Sequence, residues 1–425
     1  MTAQMHQQQG VAPKASTPPA PQATGLLDPL RYKDFRLFTA GRLVSILGDY
    51  FQMVALPMVV FEMVQSTSGW GSVMSVQAIP RTLLIVIGGL IVDRYRPRNV
   101  MLTAEIFMAI ITAVLAGLFF RQDLALWMIY AYAVCAGVAN AFFIPAMQSL
   151  TPELLPPEQV RAANALNSST FQLARFIAPP LAGVLLSVVG AGTLFTLNAV
   201  TFAVYALVLW KIHTPAAARR PTASGSFGQQ LREGIQAARR DPVVWMVILT
   251  AMAATVGQAG AMVVGVPALA KLVLGAGEKG VGVLFGALGA GSLLGAVAAG
   301  SAARLRHPSL VASAGLVASG VAMAVAGYAN SVWMAAPFLL VAGAFLTAAS
   351  VFFFTLVQTR VTPEVRGRVM GLMSLTWFGL DPLAFTLAGL VGDLLTPRAI
   401  FLLGGLLTGL SGLILVASRK MRTAA

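Results

Sequence analysis

Five ionisable side chains sit deep inside apolar stretches of this chain: Arg42, Asp49, Arg81, Arg175 and Asp381. Holding a charge in such surroundings costs on the order of 3 kcal/mol or more, so groups of this kind are kept for what they do. The chemistry open to them is proton transfer and switchable ion pairing. Arginine stays charged throughout, whereas a carboxyl can take up and release a proton; burial and an approaching arginine drive it in opposite senses. All three histidines, His6, His213 and His307, lie in polar segments. A proton crossing the apolar part of the molecule must therefore ride on a carboxylate, and Asp49 is the first candidate.

Spacings of three, four and three place Arg42, Ser45, Asp49 and Gln52 on one stripe of a 3.6-residue helix. Asn164, Ser168, Gln172 and Arg175 form a second stripe by the same rule. The first stripe is expected to face a central cavity. Asp49 and Arg175, both near the middle of their stretches, are expected to pair across neighbouring helices. Glu62 and Glu105 lie nearer the ends of theirs and read as solvated anchors.

The elements that position these groups are membrane helices. A chain of 425 residues that is 57% hydrophobic and 10% charged, with mean hydropathy +0.79, cannot hide its apolar surface in one water-soluble core. Spanning about 30 Å of hydrocarbon takes roughly 20 apolar residues. Twelve such runs are expected, near residues 36–63, 70–92, 99–120, 124–150, 161–189, 191–211, 242–270, 280–303, 308–328, 331–358, 366–395 and 398–418. The net charge of +14 does not indicate nucleic acid, because most of the Lys and Arg residues fall on one side of these runs. Only Arg121, Lys271, Lys279 and Arg398 fall on the other. That asymmetry is the positive-inside pattern and puts both termini in the cytoplasm.

The Gln/Pro/Ala-rich start of the chain lacks the apolar core of a signal peptide and reads as a disordered tail. Cys135 is the single cysteine, and no metal-ligand cluster is visible. Gly282, Gly286, Gly289, Gly291 and Gly295 read as close helix packing, because no strand precedes them as a dinucleotide-binding loop requires. No Gly-x-x-x-x-Gly-Lys-Ser/Thr loop occurs, so the driving force is expected to be a gradient, with no cofactor and no enzymatic step.

The chain also repeats itself. Gly89-Leu90-Ile91-Val92-Asp93-Arg94-Tyr95-Arg96-Pro97-Arg98 has a blurred copy, Gly300-Ser301-Ala302-Ala303-Arg304-Leu305-Arg306, about half a chain length later. Pro157-Glu158-Gln159-Val160-Arg161 is echoed by Pro363-Glu364-Val365-Arg366 at a similar offset. The polar stretch from Ile212 to Asp241 divides six runs from six; Leu231 and Ile235, four apart among Gln and Arg, suggest an interfacial amphipathic helix.

Twelve runs in two sets of six, with the turn Gly89-x-x-x-Asp93-Arg94-x-x-x-Arg98, resemble the major facilitator superfamily. Three further segments are similar to its drug and siderophore exporters, those related to the enterobactin exporter and the macrolide efflux proteins. They are Gly41-Arg42-Leu43-Val44-Ser45-x-x-Gly48-Asp49, then Ala163-Asn164-Ala165 through Arg175-x-x-Ala178-Pro179-x-Leu181-Ala182-Gly183, and Pro363-Glu364-Val365-Arg366-Gly367-Arg368-Val369-x-Gly371. The likeness covers residues 31 to about 420. It departs where Arg96-Pro97 replaces a glycine before the final basic pair, and where Ala178-Pro179 replaces the Gly-Pro of the antiporter signature.

The resemblance implies an all-α membrane protein with twelve transmembrane helices in two six-helix pseudo-symmetric halves. Its expected parts are a tail at 1–30, an N-terminal bundle at 31–211, a cytoplasmic linker with an amphipathic helix at 212–241, a C-terminal bundle at 242–420 and a tail at 421–425. Spans two and eleven face each other in this fold, so Arg81 and Asp381 are expected to pair between the halves. Gly89, Asp93, Arg94, Arg98 and Gly371 are expected to form a cytoplasmic gate, with Asp93 accepting the free N–H groups at the start of the eleventh helix. Gln52, Met53, Asn140, Gln148, Gln258 and Phe353 are the expected substrate cavity. The implied activity is secondary transport in the bacterial inner membrane by alternating access. It would be proton-coupled efflux, an antiport, of a hydrophobic or amphipathic drug, macrolide or siderophore, by a monomer whose partners are its small-molecule substrate, protons and the lipid bilayer. A lysophospholipid flippase, a proton-coupled solute importer and a transport-dead membrane scaffold are the alternatives.

Overall fold

The computed structural model describes residues 25–214, 227–301 and 308–422. Most of the expected N-terminal tail, the 215–226 part of the linker and the Arg304–Arg306 copy of the loop motif lie outside these residues. The described residues form helices and no strand. They are α1 (Lys33–Val64), α2 (Thr67–Arg94), α3 (Pro97–Phe120), α4 (Leu126–Leu150), α5 (Val160–Lys211), α6 (Phe227–Arg240), α7 (Pro242–Gly260), α8 (Gly277–Ser301), α9 (Pro308–Gly327), α10 (Val332–Arg360), α11 (Pro363–Phe378), α12 (Asp381–Leu394) and α13 (Pro397–Ala417). Local chemistry marks their starts. Ser66, Asp241, Ser331 and Thr396 each accept a backbone N–H of the helix they open, and proline fills the first turn of α3, α7 and α13.

Among the described residues, ten helical segments are long and apolar enough to cross a membrane. Two local features relate these ten to the twelve expected. The 52-residue α5 would be about 78 Å long if straight, far more than a bilayer core. It bends at Gly190, whose φ of 77° and ψ of 169° only glycine adopts easily, at the boundary expected between spans five and six. The expected eleventh span is broken near its middle at Gly379 and Leu380 into α11 and α12, each too short to cross alone. α7 continues through a π turn at Ala261–Gly265, one α turn and a second π turn at Leu269–Val273.

Large apolar side chains cover the outer faces, among them Leu83, Trp210, Leu294 and Trp333, as a lipid solvent permits. The interior is divided unevenly. At the end of the molecule that carries Lys271, one apolar cluster runs from Phe51 and Trp70 of the first half to Leu284 and Phe401 of the second. At the end that carries Asp93 there are separate clusters. One holds Phe35, Met101, Leu150 and Tyr205 of the first half; another holds Val244, Phe353, Val369 and Met421 of the second. The two halves thus share a core at one end and keep their own cores at the other.

Candidate functional site

α1 brings Arg42 to 3.6 Å from Asp49, two helical turns further on, with the Ser45 hydroxyl 3.4 Å away between them. The expected stripe is therefore real, but Asp49 pairs within its own helix and not with Arg175. Among the described residues Arg175 makes no salt bridge. Its backbone carbonyl lies against Gly289 of α8, which places that segment of α5 at the helix contact between the halves. The guanidinium of Arg42 also lies over the ring of Phe143, 5.0 Å from its centre.

The stripe faces α3, α4 and the second arm of α5, not a cavity between the halves. Gln52 donates to Tyr132 at 2.5 Å and accepts from Asn198 at 2.6 Å, and Asn198 and Tyr132 are buried. Gln52 is thus a bundle-interior group, in correction of the substrate-cavity expectation, because its register on α1 turns it toward those partners. Between these helices lies a cavity of about 40 Å³, lined by Arg42, Asp49, Glu105, Asn140, Phe143 and Phe202 among others. Glu105 is the residue that sequence reasoning misplaced. Far from being a solvated anchor, it is 3% exposed, and its Oε2 has no hydrogen-bond partner. The available signal was its position eight residues into α3, about 12 Å from the helix start.

Between the halves, Arg81 of α2 and Asp381 of α12 form the expected ion pair at 2.5 Å, with side chains 21% and 12% exposed. Asp381 opens α12, where the helix break leaves unpaired N–H groups. Its carboxylate therefore compensates both the guanidinium and the positive end of a helix dipole. Further along the same seam, Ser75 donates to the Pro382 carbonyl at 3.0 Å, and Trp70 donates to the Val263 carbonyl in the π turn of α7 at 2.8 Å. Gly71 lies so close to α12 that a Cβ there would stand 2.6 Å from the Phe385 carbonyl oxygen. At the Lys271 end, Asp393 accepts from the N–H and hydroxyl of Thr67, each at 2.7 Å. It also accepts from the Ser66 hydroxyl at 2.7 Å and the Ser68 N–H at 3.1 Å. One carboxylate of the second half thus caps the first turn of α2.

That is the bond expected of Asp93, made by a different carboxylate at the opposite end. Asp93 and Arg94 are exposed, and among the described residues neither has an ion pair or hydrogen bond. No Cβ clash would arise at Gly89 or Gly371, and α11 starts without a side-chain cap. The expected gate is therefore unmade in this arrangement, since α2 and α11 stand apart where the halves keep separate cores. Arg98 works elsewhere: it donates to the carbonyls of Leu209, at 2.6 Å, and Trp210, closing the last turn of α5.

On the second half at this end, Arg360 reaches Asp241 at 2.9 Å. Burial pushes the Asp241 carboxyl up, but the bond from Arg360, the N–H of Val243, the Arg360 charge and the N–H of Val244 outweigh it. Together they hold the carboxyl below its ordinary range. α6 docks on α11, where Arg368 meets Glu233 at 3.0 Å, so its polar face is in part a helix contact.

Of the remaining cavity expectations, Asn140 lines the charged cavity and Met53 packs between α1 and α5. Gln148 is exposed. Gln258 and Phe353 come together with Thr250, Thr255 and Ser350 around a cavity of about 50 Å³ inside the second half. The six are therefore not gathered in one site.

A helical membrane protein of two packed halves, joined at one end through buried charges, is the architecture of a transporter. The sequence profile of the Major Facilitator Superfamily matches residues 38–381, and the chain belongs to that family. It is 25% identical over 408 residues to the uncharacterized MFS-type transporter YfiS of Bacillus subtilis, covering 92% of this chain and 94% of that one. It is 27% identical to the enterobactin exporter EntS of Citrobacter koseri over 90% of this chain and 91% of that one. With macrolide efflux protein A of Streptococcus pyogenes it shares 22% over 51% of this chain and 53% of that one. Among solved structures, a bacterial homologue of the iron transporter ferroportin in an inward-facing state overlays with TM-score 0.70 at 16% identity, covering 91% of this chain and 99% of that one. The nucleoside transporter NupG overlays with TM-score 0.72 at 12% identity, covering 90% and 98%. At such identities these structures bear on the fold alone.

Proposed function

We propose that the protein exports a hydrophobic or amphipathic small molecule in exchange for protons, by alternating access in the bacterial inner membrane. The observation that carries this reading is the uneven core, one apolar cluster at the Lys271 end against two at the Asp93 end. Alternating access needs two halves that part at one end while they seal the other. With both termini cytoplasmic, as the distribution of Lys and Arg argues, the open end faces the cytoplasm and the molecule is inward-facing. The export direction and the substrate class follow the names of the relatives, a siderophore exporter and a macrolide efflux protein. Asp49, paired with Arg42 and with 44% of its side-chain surface accessible despite its depth in the bundle, is the group that takes up and releases protons. Arg81 and Asp381 bias the sealed state. One chain supplies both halves, so a monomer suffices.

The test is accumulation of lipophilic dyes, macrolides and siderophores in cells expressing wild type or Asp49→Asn, with and without a protonophore. Lower accumulation in wild type only, abolished by the protonophore, is the expected result. Equal accumulation for every compound would overturn export and leave lipid flipping or import as the activity to assay.

A further inference from the structure

Deep in the first half, the small cavity between α1, α3, α4 and the second arm of α5 holds two carboxyl groups and one guanidinium. Arg42 and Asp49 come from α1 and Glu105 from α3, while the residues of α4 and α5 that line it, Asn140 and Phe202 among them, bring no charge. Beside it stand Tyr50 of α1 and Tyr132 of α4, within the field of Asp49, and Tyr205 of α5, within the field of Arg42 and Glu105. The Tyr132 hydroxyl is bonded to Gln52, whereas the Tyr205 hydroxyl is buried and has no hydrogen-bond partner. Three charges cannot balance in pairs. Among the described residues Arg42 is within ion-pair distance of Asp49 and of no other carboxyl, so an ionised Glu105, itself 3% exposed, would be a buried charge without an ion-pair partner. With a proton on Glu105 the site is neutral as a whole. A volume of about 40 Å³ also leaves room for a few water molecules at roughly 10–15 Å³ each, and the unpartnered Glu105 Oε2 is a group such waters satisfy.

We propose that this cavity is a proton store, in which Glu105 holds one proton while Arg42 neutralises Asp49, and the two carboxyls exchange these roles. In the exchange the O–H bond of Glu105 breaks and an O–H bond forms on Asp49, through water in the cavity. The negative charge passes to Glu105 and Arg42 turns from Asp49 to follow it. One proton and one ion pair are present before and after, so no net charge is created in the interior and the step avoids the desolvation cost of a lone charge. The accessibilities set the direction of supply: Glu105 is sealed in, while Asp49 borders open space, so a proton leaves or enters through Asp49. This inference rests on the proton-coupled reading above and adds to it a second carboxyl that the sequence reading set aside.

The experiment is infrared difference spectroscopy of the whole purified protein in lipid nanodiscs, which needs no transport substrate. Wild type is expected to show the carbonyl band of an un-ionised carboxyl at neutral pH. Glu105→Gln is expected to lose it, with folding checked by thermal melting. Asp49→Asn is expected to lose it as well, although Asp49 is the ionised partner, because Arg42 then takes Glu105 as its counter-ion. Persistence of the band in either variant overturns the store. So does its removal by sodium at constant pH, which would make the cavity a metal-cation site. If no compound is exported but the band behaves as stated, the exporter reading fails and the store stands; if export is proton-driven and the band is unchanged, the reverse holds.

Discussion

Replacing Asp381 by Asn removes the carboxylate that Arg81 holds at 2.5 Å across the two halves. Unit charges about 4 Å apart attract by about 4 kcal/mol at an effective dielectric constant near 20. Both side chains are mostly buried, so part of that attraction is offset by lost hydration, leaving about 2 kcal/mol for the pair. If the pair forms only when the Lys271 end is sealed, its loss shifts the balance between sealed and parted ends by about 30-fold, at 1.4 kcal/mol per tenfold. The assay is pulsed electron-spin distance measurement between labels at Val64 and Leu395, exposed positions at that end on different halves, after replacing the single Cys135. Asp381→Asn is expected to populate longer distances, Arg81→Gln to do the same, and the double variant to be no worse than either. Strictly additive effects, or unchanged distances in both single variants, would refute the coupling.

Asp393→Ala strips the cap from α2 and leaves the N–H groups of Thr67 and Ser68 without their acceptor. It should lower thermal stability by about 1–2 kcal/mol and raise the labelling rate of a cysteine placed at Met63, at the same end; an unchanged rate would show the cap to be idle. Gly71→Val should favour the parted Lys271 end without unfolding either half, because the new side chain meets the Phe385 carbonyl of α12; distances as in wild type would count against close approach there. Asp241, whose folded carboxyl lies below its ordinary range, contributes stability that is fully present above its unfolded pKa of about 4 and is lost as pH falls through its lower folded value. Melting curves from pH 6 to pH 3 should therefore fall less steeply in Asp241→Asn than in wild type, and parallel curves would remove the Arg360 pair from the account.

Much of this molecule can be read from its sequence because lipid imposes a simple rule. Every span must be apolar for about 20 residues, so spans, turns and buried charges stand out by composition alone. The bend at Gly190 falls between two expected runs, and the likeness to a known fold sufficed to pair Arg81 with Asp381, since the family's topology sets which helices face each other. Side-chain partners within a bundle follow a different logic. A helix stripe tells which residues share a face but not which neighbour that face meets. Asp49 could thus be expected beside Arg175 yet lies beside Arg42, and Gln52 turns to Tyr132 and Asn198. Glu105 looked like an anchor because depth along a helix is only one coordinate of burial; the packing of α1, α4 and α5 around it supplies the others. The expected carboxylate cap on a helix start exists, but at Asp393 and not at Asp93. Sequence determined the spans and the charges they must carry. Which pairs are made depends on which neighbour each helix face meets, and that is a property of tertiary packing alone.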